Sequence, residues 1–256
     1  MDILDLINRA LELAEPYTRK YNSEDMHLGF FTPDKFEEEL GRFCKAEGLE
    51  CPPIPKDRIP DAVPIPPDGI LLSSELIKEP RWMIFVVVSS VFHLFFLENE
   101  YDGDVNDLLL DYPVSRVIPD RLVPEVMDMH RIVIYRRIGY TIWSAFLADF
   151  MAQYILMPYT MSADDIEMSL YELSDDPQPV AVAELAKSVL GCPQYAEGVP
   201  GKGFIFKPGV LPFEGVMGDL ANQLGQEKYY QVTPEFLTVL GRDFETDMAE
   251  YEKNQK

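Results

Sequence analysis

The stretch Trp82 to Leu97, WMIFVVVSSVFHLFFL, runs 16 residues without a charge and constrains the fold of this chain more than any other feature. A segment apolar on every side has no face to offer water, so it is either a buried central helix or a membrane span. A span wants about 20 apolar residues, usually with basic flanks on one side. Here Glu98 and Glu100 follow at once, and Ser89, Ser90 and His93 interrupt the run. The expectation is a core helix with no membrane association.

The rest of the chain can supply the packing such a helix needs. Of its 256 residues 47% are hydrophobic and 12% aromatic, enough for a sizeable core and too many for wholesale disorder. Twenty-two basic residues stand against 44 acidic ones, a formal charge of −22. Most of such a surface repels phosphate, which excludes general nucleic-acid binding. The three cysteines, Cys44, Cys51 and Cys192, form neither an even framework nor a CxxC pair, which suggests a reducing compartment. The opening Met1-Asp2-Ile3-Leu4-Asp5 carries acid where a secretory signal carries base, so a cytoplasmic protein without a targeting peptide is expected.

Around the central helix, apolar spacing predicts an opening helix over Asp2 to Tyr21. Thr32-Pro33 has the form of an N-cap and first helical position for a helix through about Lys45. Seven prolines in the sixteen residues Pro52 to Pro67 predict an extended connector or surface arm. Asp68-Gly69 marks a turn and Ile70 to Ser74 a short strand. Beyond an acidic, turn-rich stretch at 101–120, a helix pair is expected, Val123 to Ile138 and Tyr140 to Leu156, broken or kinked near Gly139. Ser162 with Asp165 has the look of a capping pair for a helix through Leu173. Helices over Val180–Leu190 and Glu235–Glu250, with Phe204-Ile205-Phe206 as a strand between, complete a helix-rich α+β reading. Its expected divisions are 1–67 for the N-terminal helices and proline arm, 68–158 for the core, and 159–256 for a C-terminal helical subdomain, together one compact domain.

Two polar residues stand out against apolar surroundings. His93 shares a helix face with Ser89 and Leu97, among Phe92, Leu94, Phe95 and Phe96. A histidine there is commonly a core residue whose ring nitrogens must find partners. A zinc site would need a second ligand about one turn away, and position 97 is Leu. On the later helix Trp143, Leu147, Phe150 and Tyr154 form one stripe. Thr141, Ala145, Ala148, Asp149 and Ala152 form another, whose small side chains predict that it packs inward. Asp149 is then an interior carboxylate, and pairing it with His93 would satisfy both groups; a surface-facing Asp149 is the alternative.

A strand, a long helix with His-Glu-x-x-His and a later helix with Glu-x-x-Ala-Asp form the layout of gluzincin-type zinc metallopeptidases. The chain resembles a version found in Gram-positive bacteria and their mobile elements, whose later helix reads Gly-Tyr-x-x-Trp-x-Glu-Phe-Ile-Ala-Asp. Here the segment Gly139 to Asp149 reads GYTIWSAFLAD, and the Leu156-Met157-Pro158 ending also resembles related regulatory members. The resemblance covers about residues 68 to 158, with Ile70–Ser74 where the family's edge strand lies and Val91–Leu97 where its zinc helix lies. It implies a zincin-like domain in which a small sheet lies beside the central helix. By this resemblance His93 matches the first zinc ligand and Asp149 the carboxylate that orients it. Leu94 stands in place of the catalytic Glu, Leu97 of the second His and Ala145 of the ligand Glu. Zinc hydrolysis needs about three protein ligands, a metal-bound water and a base. The resemblance therefore implies a catalytically inactive binding or regulatory protein with no bound zinc and no cofactor, its partner an unidentified protein or peptide and its oligomeric state open.

Other features carry less. Asp102-Gly103-Asp104-Val105-Asn106 opens like a calcium loop but has Asp107 at the required Gly and Pro113 at the bidentate Glu, as a solvated acidic loop would. Gly201-Lys202-Gly203 lacks the spacing of a phosphate loop. Arg131, Arg136 and Arg137 are expected to pair with the chain's own acid, and the uncompensated run from Asp164 to Asp176 to form a solvated face. Two alternatives from other classes stand beside the inactive-peptidase reading. One is an acidic interaction protein that mimics a nucleic-acid backbone; the other is a hydrolase whose metal site would draw on His27, His130 and loop carboxylates.

Overall fold

The computed structural model describes residues 3–18, 21, 25–52, 59–99, 123–156, 178–190, 196–199, 203–206 and 212–254. The protein is a helix-rich α+β chain. It divides into two compact units, residues 1–98 with 151–160 and residues 99–150 with 161–256.

The first unit contains α1 (Ile3–Thr18), β1 (His27–Phe31), α2 (Phe36–Glu47), β2 (Ala62–Ile65), β3 (Gly69–Ser73) and α3, which runs Pro80–Asn99 and reaches one residue past the unit. The strands form one mixed sheet in the order β1-β3-β2. β3 pairs parallel with β1, Leu28 opposite Ile70 and Phe30 opposite Leu72, and antiparallel with β2, Val63 opposite Leu71. All five residues of β3 are buried, as the unbroken apolar run Ile70-Leu71-Leu72 requires of a strand covered on both faces. This corrects the edge position expected for that segment: among the described residues β3 is the middle strand, and the edges are β1 and β2. The proline-rich stretch also departs from a plain connector, because Ala62–Ile65 is a strand. Pro64 is tolerated there because an edge strand need not supply every N–H.

α2 covers part of this sheet. Phe31, Phe36, Leu40, Cys44, Val63, Ile65 and Leu71 form one buried cluster, with Phe43 and Leu49 packed against it. Each fully buried aliphatic side chain contributes about 1.5–3 kcal/mol relative to exposure. The start of α2 differs from the expected Thr32 cap. Residues Pro33–Lys35 form a 3-10 turn, and the Thr32 hydroxyl caps nothing. Instead the Glu39 carboxylate accepts from the Thr32 N–H at 2.6 Å and its hydroxyl at 3.2 Å.

α3 is the expected core helix. Met83, Val86 to Phe92, Leu94 and Phe96 are all buried, and the Ser90 hydroxyl donates to the Val86 carbonyl at 2.7 Å, which settles that polar group inside the helix. No helix among the described residues is long and apolar enough to cross a membrane.

The second unit is built on α4 (Val123–Leu156), with α5 (Pro179–Leu190), the hairpin of β4 (Ala196–Val199) and β5 (Gly203–Phe206), α6 (Glu214–Leu224) and α7 (Pro234–Asn254). α4 is a single 34-residue helix, Val123–Leu156, of which the last six residues belong to the first unit. No break occurs at Gly139. Its role is close approach, since a Cβ there would lie 2.2 Å from the Leu237 carbonyl oxygen, and one on Gly241 would lie 2.0 Å from that of Tyr135. α4 and α7 therefore cross antiparallel with their backbones in contact, closer than side chains normally permit. The contact is extended by Trp143 edge-on to Phe236 at 5.3 Å and by Glu245, whose carboxylate accepts from Arg131 at 2.9 Å and from the Tyr135 hydroxyl at 2.7 Å. The expected small-residue face does not define the interior of α4: Trp143, Leu147 and Phe150 are buried with Ala148 and Ala152, while Thr141 and Tyr154 are exposed.

α6 was not foreseen from the sequence. It starts at Phe213, whose φ of 62° is left-handed, a conformation costing about 1–2 kcal/mol for a residue with a Cβ. Burial of that ring against Phe244 and Tyr251 offsets the strain. The calcium-like loop, the helix expected over Ser162–Leu173, the acidic run from Asp164 to Asp176, Gly201-Lys202, Cys192 and Met157-Pro158 lie outside the described residues.

Glycine-to-alanine substitution tests the crossing against a control in the same protein. Gly139→Ala and Gly241→Ala are each expected to destabilise by about 3 kcal/mol or more, because backbone, not a movable side chain, blocks the new methyl. Gly41→Ala and Gly218→Ala, in helices with nothing within 4 Å, are expected to stabilise by about 0.5–1 kcal/mol. Urea unfolding of the four variants distinguishes them.

Candidate functional site

His93 and Leu94 belong to α3 in the first unit, Ala145 and Asp149 to α4 in the second. Leu97 lies on α3, with its side chain outside the described set. His93 is half-buried beside fully buried Leu94 and next to the stacked rings of Phe92 and Phe96, 5.7 Å apart. Burial pushes its imidazole down from the ordinary 6.5 to about 4, so the ring is neutral at physiological pH. Ser89, one turn earlier, is buried.

On α4, Ala145 and Asp149 are both half-buried. The Asp149 carboxylate lies 3.8 Å from the Lys187 ammonium of α5, which also meets Glu184 at 2.5 Å. Lys187 keeps only 12% of its side chain exposed, so this ion pair is screened less than a surface one.

His27, on β1, places Nδ1 2.8 Å from the Glu47 carboxylate, and His130 is exposed on α4. Among the described residues no group of three or more His, Cys, Asp or Glu side chains is arranged to hold a metal ion. Of the basic cluster, Arg131 pairs with Glu245 at 2.9 Å and Arg136 donates to the Thr238 hydroxyl at 3.2 Å, both within the second unit.

The most perturbed carboxylate escaped sequence reading. Asp219 of α6 has one oxygen buried without a hydrogen-bond partner among the described residues. Burial, then the charge of Asp243 and a hydrogen bond with it, raise the Asp219 carboxyl from 3.8 to about 7, with Arg242 acting in the opposite sense. Neighbouring Asp247 accepts from the Val216 N–H at 3.0 Å and lies 3.1 Å from where a Gly215 Cβ would stand, so α6 begins on that carboxylate. Asp243 and Asp247 at helical spacing were visible in the sequence. Asp219 was hidden because α6 itself was missed.

No protein-family model, curated protein or solved structure matches the chain.

His93 and Asp219 contribute to stability with opposite pH dependence. Between about pH 4 and 6.5 the unfolded chain protonates His93 while the native state does not, so this group weakens the first unit as pH falls. Between 3.8 and about 7 native Asp219 holds its proton more tightly than the unfolded chain does, so it weakens the second unit as pH rises. Asp219→Asn is expected to stabilise by about 1–2 kcal/mol at pH 8, after allowance for partial solvent screening, and to change stability little at pH 4. Chemical denaturation of both proteins at the two pH values reads the difference.

Proposed function

We propose that this chain is a catalytically inactive, metallopeptidase-like protein that acts by binding a protein or peptide partner and holds no zinc. Burial of Leu94 carries the reading. Its side chain has no exposure at the position where the resembled family keeps the base that deprotonates the metal-bound water. A carboxylate at so buried a position would be desolvated. His93, at the first-ligand position, keeps a neutral ring, but Leu97 and Ala145 at the other ligand positions cannot bind metal. Asp149, at the orienting position, has the Lys187 ammonium beside it. The burial of Leu94 and the lack of ligands at the other positions support binding, not hydrolysis, as the role of the scaffold.

The chain purified without chelator is expected to contain zinc far below one equivalent, and Leu94→Ala is expected to cost about 2–5 kcal/mol, the loss of a core residue. One equivalent of tightly held zinc, measured by elemental mass spectrometry, would overturn the proposal.

A further inference from the structure

Two of the three cysteines, distant from any recognisable motif, meet at the end of α2. Cys44 occupies the last turn of that helix and is buried in the cluster between helix and sheet. The helix ends at Gly48, whose φ of 71° is the left-handed turn that glycine adopts without strain. The N–H groups of Gly48 and Leu49 both return to the Cys44 carbonyl, the latter at 2.8 Å. This reversal packs Leu49 into the cluster beside Cys44 and turns the chain so that Cys51, two residues on, acts electrostatically on the Cys44 thiol. Both cysteines are free, Cys44 buried and Cys51 exposed. Burial, followed by the hydrogen bond and charge of Cys51, pushes the Cys44 thiol up to about 11. One sulfur is therefore protonated and sheltered, and the other is open to solutes.

We propose that Cys44 and Cys51 form a reversible redox pair, closed to an intramolecular disulfide by a hydroperoxide. The exposed Cys51 sulfur gives up its proton and attacks hydrogen peroxide, the O–O bond breaks, and Cys51 becomes a sulfenic acid as the departing hydroxide takes that proton and leaves as the first water. Cys44 then gives up its proton, and its sulfur attacks the Cys51 sulfur. The S–S bond forms, the S–O bond breaks, and the departing hydroxide takes that proton as a second water. Two thiols lose two electrons and one peroxide is reduced to two waters, so the step balances. Closure ties the end of α2 to Cys51, directly before the proline-rich segment that opens at Pro52 within the first unit. A dithiol reductant reverses it by exchange. The inference is independent of the metallopeptidase reading.

The test uses the full chain, oxidised natively with hydrogen peroxide, quenched in acid, alkylated under denaturing non-reducing conditions and digested with trypsin. Cleavage after Arg42, Lys45 and Lys56 separates Phe43–Lys45 from Ala46–Lys56, so the two peptides stay together only through the disulfide. The linked pair is expected in monomeric protein, to disappear with dithiothreitol, to persist in Cys192→Ser and to be lost in Cys51→Ser, a substitution at an exposed position that spares the core. Its rate of formation is expected to climb with pH across the alkaline range as Cys44 ionises. The proposal is overturned if Phe43–Lys45 is recovered alkylated throughout, whether Cys51 is then found untouched, over-oxidised to sulfinic acid, or joined to Cys192 or to a second chain.

Discussion

Two helices of the second unit touch backbone to backbone, and that contact sets the positions of much else. Gly139 and Gly241 each face a carbonyl of the opposite helix, so neither position has room for a methyl group. Such proximity holds Trp143 against Phe236 and brings Glu245 within reach of both Arg131 and Tyr135. It also fixes α7, whose Asp243 and Asp247 then confront α6, one raising the Asp219 carboxyl and the other receiving the first N–H groups of that helix. A glycine that reads as a weak point in a helix is here the reason the helix can dock.

Much of the architecture was legible because burial writes itself into sequence. The uncharged run at Trp82–Leu97 had one reasonable outcome, and α3 is that helix. Thr233-Pro234 announced α7, and the Thr233 hydroxyl does accept from the Phe236 N–H at 3.2 Å. What failed to show were features whose cause lies elsewhere in the chain. Gly139 carries no mark that distinguishes a break from a close contact; the difference is Leu237, nearly a hundred residues away. β1 and β2 are short and contain Gly29 and Pro64, residues with poor strand propensity that pairing with β3 overrides. α6 opens from a left-handed phenylalanine, which no local preference suggests. Of the candidate site, the identities of His93, Leu94, Ala145 and Asp149 were readable, and so was the poverty of ligands among them. The Lys187 beside Asp149 was not, because the two lie on different helices.

The chemistry of α3 follows from the same accounting of partners. A desolvated imidazole resists protonation, and at about pH 4 its burial and its charge come into balance. A ligand histidine also needs to be neutral, so neutrality by itself is compatible with either role. Beside His93 on α3, Leu94 is sealed in the core and Leu97 has no group that can bind metal. The charge of −22 is carried elsewhere, on helices such as α2 and α7 whose outward faces are rich in glutamate.

The central claim is that the His93 ring is a neutral core group and not part of a metal centre. Nuclear magnetic resonance of the imidazole in isotopically labelled protein, titrated with acid with and without added Zn²⁺, addresses it directly. The account predicts a ring that stays neutral until about pH 4 and signals that zinc does not move. A midpoint near the ordinary 6.5, or a saturable zinc-dependent shift at this ring, would contradict it.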